Sequence, residues 1–208
     1  NENLIQAIKS DNFFGNRTAL LYILNIYLNP FINEIDEYRF SITIFSLLAP
    51  YILYLCIKEK YKNINYEIIL LLSCIILLSP FYRTSSFWGM EIQYGIISSL
   101  LSILFFLKIN NKENTSYKNI FLSIFFSSIT VYFDVKLIII PLFIYLTILF
   151  SRLDNKIKLF SSISYMLLAI PFFLLIIHWQ GLVPVATQQV NPLQASHLMN
   201  SKFHMVNI

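Results

Sequence analysis

The sequence predicts an all-α protein, a polytopic bundle of transmembrane helices. Three observations carry that expectation. Of 208 residues, 57% are hydrophobic and 12% charged, about half the charged share of a soluble domain. The apolar residues gather into runs at 18–32, 40–57, 68–82, 87–107, 120–133, 137–150 and 159–177. Basic residues are spread through the short segments between these runs, which is how topology signals are distributed. The formal charge of +4 therefore marks membrane sidedness and not a nucleic-acid surface.

The first run is interrupted by Asn25 and Asn29 and ends in Asn29-Pro30, so it reads as an amphipathic or partly inserted helix. FSITIFSLLAPYILYLCI, residues 40–57, is a span despite Pro50, because a neighbouring helix can satisfy the carbonyl that a proline frees. Runs 68–82 and 87–107 flank a polar turn at 83–91. IFLSIFFSSITVYF and LIIIPLFIYLTILF are 14 residues each and separated by Asp134, Val135 and Lys136. Each reaches about 21 Å at the helical rise, short of a ~30 Å hydrocarbon core. Two architectures fit: a hairpin of short spans, or one long helix with charges at its centre.

Loop charge decides between them. Lys58, Lys60 and Lys62, then Lys108, Lys112 and Lys118, then Arg152, Lys156 and Lys158 all fall on one side if 120–150 is a hairpin. The positive-inside rule makes that side cytoplasmic. The expected organisation is one transmembrane unit: residues 1–39 an outer amphipathic or loop segment, about six spans over 40–177, and an outer loop at 178–208. The opening NENLIQAIKSDNFFGN has no signal-peptide pattern, and the chain reads as a fragment of a longer one. Cys56 and Cys74 lie inside apolar runs and suggest no disulfide framework.

The candidate chemistry gathers on the outer face. Arg83 and Glu91 bracket the turn 83–91. They read either as part of an interfacial belt, with Arg83 snorkelling and Glu91 capping a helix, or as cavity-facing groups. In the second case Glu91, Gln93 and Tyr94 form the polar start of a helix, and Arg83 offers a planar fork to a phosphate. Asp134 and Lys136 sit at the hairpin tip, recessed enough for the lysine to meet an anionic headgroup. Arg39 opens the span 40–57 after an acidic stretch and can pair with Asp36 or Glu37. His178, Trp179 and His197 lie in the tail as possible acceptor or outer-loop contacts. His178, His197 and His204 are too scattered for a zinc site, and no phosphate loop, nucleophile elbow or CxxC is present.

Taken in order, these segments resemble a family. NRTALLYILNIYLNPFINEIDEYRFSITIFSLLAPYILYLCIKEKY resembles the stretch of GT-C fold, polyprenyl-phosphate-sugar-dependent glycosyltransferases in which a small apolar helix leads to an Arg that opens a span; Arg39 stands there. LLSPFYRTSSFWGMEIQYGIISSLLSILFFLK is similar to the following hairpin, with Glu91 starting its second helix. ITVYFDVKLIIIPLFIYL is similar to the short-helix hairpin with a lysine at its tip, matching Lys136, and LLAIPFFLLIIHWQGLVP to the span before an outer loop. The likeness is of the dolichyl-phosphate-mannose-protein mannosyltransferase-like kind and rests on order and spacing more than on any rare motif.

The resemblance implies transfer of a sugar from a polyprenyl-phosphate donor to a glycan, lipid or protein acceptor at the extracytoplasmic face, in a bacterial inner membrane. Arg83, Lys136 and Arg39 would neutralise the donor phosphate, with Glu91 and Asp134 beside them. In that family the catalytic base lies in the first outer loop, which the likeness places upstream of Asn1. No cofactor and no nucleic-acid partner are expected, with a divalent metal left open. Alternative readings are a lipid-linked-oligosaccharide flippase or other transporter, an O-antigen polymerase or ligase, and a non-catalytic membrane subunit.

Overall fold

The computed structural model describes residues 20–31, 34–110 and 116–179. All secondary structure among them is helical. The chain divides into two compact units. One is Leu20–Phe172; the other comprises residues 1–19 and 173–208, of which only the end of the last helix is described.

The helices follow local sequence cues. α1, Leu20–Leu28, stops before Asn29-Pro30. α2, Ile35–Ser46, carries Asp36 and Glu37 in its first turn, where they complement the helix dipole. α3, Leu48–Lys60, continues the same course after a break at Leu47 and ends on Lys58 and Lys60. The break has a cause: Pro50 has no N–H for the Ser46 carbonyl, so the ladder cannot run through unbroken. α4, Tyr66–Cys74, is capped by the Asn65 side chain, which accepts from the Glu67 N–H at 3.3 Å. A 3-10 turn, Ile75–Leu78, follows it.

α5, Pro80–Trp88, occupies much of the segment expected to be a turn at 83–91. Ser79 caps it through the Tyr82 N–H, Pro80 fills the first helical position, and Gly89, at φ +62°, ends it. The Met90 N–H reaches the Ser85 carbonyl at 3.0 Å and the Gly89 N–H reaches that of Ser86 at 3.4 Å, a Schellman closure. A side chain at Gly89 would also collide with Tyr38, 2.8 Å from its added Cβ. α5 bends 69° away from Tyr66–Leu78.

α6, Glu91–Asn110, and α7, Tyr117–Phe133, form the centre of the bundle. A 3-10 turn, Val135–Ile138, leads into α8, Ile139–Phe150, and α9, Asn155–Trp179, closes the described chain. A break at residues 134–138 divides the 120–150 region into two helices rather than one long one, and α8 lies beside α9, with Tyr145 and Ser162 hydroxyls 3.2 Å apart.

The interior mixes isoleucines with small polar residues, while large apolar side chains face outward. Ile120, Ile124, Ser102, Ser123, Ser127 and Thr130 are 0% exposed, whereas Phe150 is 86%, Met166 72% and Leu71 70% exposed. Apolar exteriors suit lipid as the solvent, where helices associate through close packing and interhelical hydrogen bonds. Between α6 and α7 the Ser102 hydroxyl donates to the Ser123 carbonyl at 2.8 Å and the Ser123 hydroxyl donates back to the Ser102 carbonyl at 3.0 Å. At Gly95, α6 comes so close to the turn Val135–Ile138 that follows α7 that an added Cβ would lie 2.6 Å from Leu137 Cδ1.

Three helical stretches are long and apolar enough to cross a membrane: Ile35–Lys60, Glu91–Ile109 and Asn155–Leu174. The bent pair Tyr66–Leu78 and Pro80–Trp88 makes a fourth if counted as one broken span. α7, at 17 residues, and Val135–Phe150 are shorter, so about six spans requires these two to count as well. The described parts of the three basic segments gather at one end. Ile109, Ile120 and Ile157 form one buried cluster with Leu153 against it, and Lys60 shares a groove with Leu107.

Candidate functional site

At the end of the bundle opposite the basic segments, α1, α2, α6 and α7 enclose a cavity of about 470 Å³. Its walls are apolar, with Leu24, Leu28, Ile42, Phe45, Ile97, Leu101 and Phe133 among them. Polar groups enter from one cluster. Asn25, 6% exposed, is the hub: its amide donates to the Leu21 carbonyl at 3.1 Å and to the Tyr38 hydroxyl at 3.4 Å. Its Oδ1 accepts from the Tyr94 hydroxyl at 3.1 Å and from the Asn29 amide at 3.4 Å. Asn29 also donates to Ser41 Oγ at 3.0 Å, and Ser41 donates to the Tyr38 carbonyl at 2.7 Å. Every member is uncharged.

Local sequence places these groups. Asn25 and Asn29 are one helical turn apart, and so share a face of α1 and its C-terminal extension. Tyr94 lies between two aromatic rings, with centroids 5.0 Å from Phe45 and 5.4 Å from Phe133. Such tilted pairs fix the ring while leaving its hydroxyl aimed at Asn25.

None of the charged candidates Arg39, Arg83, Glu91, Asp134 and Lys136 is among the described residues that line this cavity, and they fall in two groups. Arg39 lies with its guanidinium carbon 5.2 Å from the Phe87 ring and 4.8 Å from that of Trp88. It also approaches Asp36 at 3.9 Å, but that carboxylate is 98% exposed and the pair contributes little. Arg83 is exposed and lines an open cleft of about 310 Å³ with Pro80, Thr84, Phe87 and Trp88. Arg39 and Arg83 therefore flank the same two aromatic side chains.

The second group lies where α6 starts and α7 ends. Glu91 opens α6 half-buried. Asp134 is 4% exposed, and its carboxylate accepts the Lys136 N–H at 3.0 Å, capping the 3-10 turn. The Lys136 side chain is exposed. Gly95, four residues into α6 from Glu91, packs against Phe133 and Leu137, which bracket the Asp134–Lys136 tip. His178 and Trp179 fall in the last turn of α9, their side chains outside the described residues, as is all of His197.

Sequence reasoning singled out Gln93 and Tyr94 as the polar start of α6, and Tyr94 does line the cavity. It missed Asn25, Asn29, Ser41 and Tyr38 as one network. The available signal was two asparagines at i and i+4 in an apolar run. Gln93 turns the other way. It is 0% exposed, and though it lies close enough to Tyr82 to act on that hydroxyl, neither amide atom has a partner at hydrogen-bonding geometry. Among the described residues no three His, Cys, Asp or Glu side chains gather closely enough to hold a metal ion. Comparison with protein-family models, with curated proteins and with solved structures finds no match to the chain.

Proposed function

We propose that the protein is a polytopic, GT-C-like membrane glycosyltransferase that takes a sugar from a polyprenyl-phosphate donor. The observation that carries this reading is the cavity: apolar walls for a hydrocarbon tail, an uncharged hydrogen-bonding cluster among them, and Arg39 on α2 two residues before the lining residue Ser41. In this reading the polyprenyl chain lies between α1, α2, α6 and α7. Arg83, Arg39 and Lys136 face the phosphate as it gains charge on departure, the arrangement that stabilises a leaving group most.

Asp134 holds the tip that presents Lys136 and is a positioning residue, because its carboxylate is buried and already accepts a backbone N–H. The acceptor hydroxyl loses its proton to a general base, a role that no group described above is positioned to fill. In this reading the basic end is cytoplasmic, as the positive-inside rule favours, and the cavity lies toward the extracytoplasmic face of a bacterial inner membrane.

The test uses the full-length protein in membranes with a radiolabelled polyprenyl-phosphate sugar. Transfer of label to an acceptor is expected, with Arg83→Ala and Lys136→Ala each reducing it by roughly tenfold or more, as loss of a charge-assisted phosphate contact does. Wild-type transfer by both variants, or no transfer by the native protein, would sink the reading. Flipping of the lipid with its sugar still attached would replace it with a transporter.

A further inference from the structure

A second concavity lies at the other end of the molecule. About 750 Å³ in volume, it runs between the end of α3, the second half of α6 and α8. Ile103, Leu107, Ile140, Phe143 and Ile144 make its walls. Lys60 is the charged residue of its lining, at the C-terminal end of α3, with Tyr61 beside it. The Lys60 ammonium lies 5.3 Å from the Tyr61 ring centroid, and no carboxylate among the described residues pairs with it.

Three features define what fits there. The walls are hydrocarbon and continuous with surfaces that face lipid: Ile139, Leu142 and Phe143 are 62%, 49% and 63% exposed. Polarity enters at one end only, as a cation and a phenol. That end belongs to the basic side of the bundle, where α6 finishes on Lys108 and the 151–158 segment brings Arg152, Lys156 and Lys158. An apolar trough with one cation at its end, Lys60, matches an amphiphile with a long tail and an anionic head. A soluble anion would leave the trough empty, and a zwitterionic head would leave the ammonium half-compensated.

We propose that this groove holds an anionic phospholipid of the surrounding membrane, one acyl chain lying between α6 and α8 and the phosphate meeting Lys60. The inference is independent of the glycosyltransferase reading, since the groove shares no lining residue with the cavity at the opposite end. Lys60 contributes Coulomb attraction and donated hydrogen bonds, and Tyr61 a hydroxyl at the depth of the glycerol backbone. Lys58 and Lys60 lie in the last turn of α3, where they offset the negative pole of the helix dipole that would otherwise oppose an anionic head.

Native mass spectrometry of the full-length protein, released from micelles holding equal amounts of phosphatidylglycerol and phosphatidylcholine, tests this. One phosphatidylglycerol is expected to stay bound in preference to phosphatidylcholine. Lys60→Gln should cut its retention about fivefold, the contribution of one lysine near an anionic surface. Lys62→Gln, with the same loss of charge but outside the groove, should leave retention at the wild-type level, and excess inorganic phosphate should not displace the lipid. Ile140→Trp, which fills the trough and keeps the charge, should reduce retention as well. Equal retention of the two lipids, equal loss in Lys60→Gln and Lys62→Gln, or release by phosphate would overturn the proposal.

Discussion

The Tyr82 hydroxyl donates a hydrogen bond to the Ser46 carbonyl. These residues are 36 positions apart, on α5 and α2, and the carbonyl is the one that Pro50 cannot serve. In water such a carbonyl would be solvated; inside a membrane it needs a protein donor. The tyrosine therefore does two things: it satisfies the break between α2 and α3, and it ties the bent helix α5 to that break.

Removing the hydroxyl should expose the cost. Tyr82→Phe is expected to lower stability by about 1–3 kcal/mol, the cost of leaving a buried acceptor unmade, read as thermal unfolding in detergent. In a Pro50→Ala background, where an N–H returns to the i+4 position, the same substitution should cost clearly less. An equal loss in both backgrounds would show that Tyr82 acts through packing alone.

A second tyrosine repairs a second proline by a different route. In α9 the Tyr132 hydroxyl donates to the Leu168 carbonyl at 2.6 Å and accepts from the Phe172 N–H at 3.1 Å, standing in for the ladder bond between those two residues. Pro171 lies inside that turn. Tyr132→Phe unpairs a donor and an acceptor together. It should cost about 2 kcal/mol or more and loosen α9 beyond Ala169, seen as faster amide exchange at Phe172 than at Tyr165.

The uncharged network at the cavity depends on Asn25. Asn25→Leu keeps the side-chain size but strips partners from Tyr94, Asn29 and Tyr38. The expected result is a fall in retention of a polyprenyl phosphate by roughly tenfold, as when a site's buried polar groups lose their partners. Retention of the phosphatidylglycerol bound at the opposite end should not change. Retention of both lipids at the native level would separate the network from lipid binding.

Much of the helical plan is legible in the sequence because its causes are local. The Pro50 break, the basic ends of α3 and α6 and the return at Asp134 each follow from residues within a turn of the event. α5 was equally legible and was misread: Ser79-Pro80 is a helix start and Gly89 a helix stop, but the polar run Arg83-Thr84-Ser85-Ser86 between apolar segments looks like a loop. The cavity was not legible, because Asn25 meets Tyr94 across 69 positions. No local pattern states which face of α1 turns toward α6. Arg39 shows the same limit. Its acidic neighbours are visible in the sequence, whereas the Phe87 and Trp88 rings that hold it come from α5.

Gln93 provides the sharpest test of how the interior is built. Its amide is fully buried beside Tyr82, yet neither Nε2 nor Oε1 is hydrogen-bonded, and Tyr82 has committed its proton to Ser46. A buried amide without partners costs about 1–3 kcal/mol. Gln93→Met, close in shape and without polar atoms, should therefore raise the unfolding temperature in detergent. Combined with Tyr82→Phe the two effects should add, as they do for side chains that share no hydrogen bond. A drop in stability on Gln93→Met would mean that the amide has a partner in the membrane-embedded protein, with a buried water bridging it to Ser86 or Ser46 the first to look for.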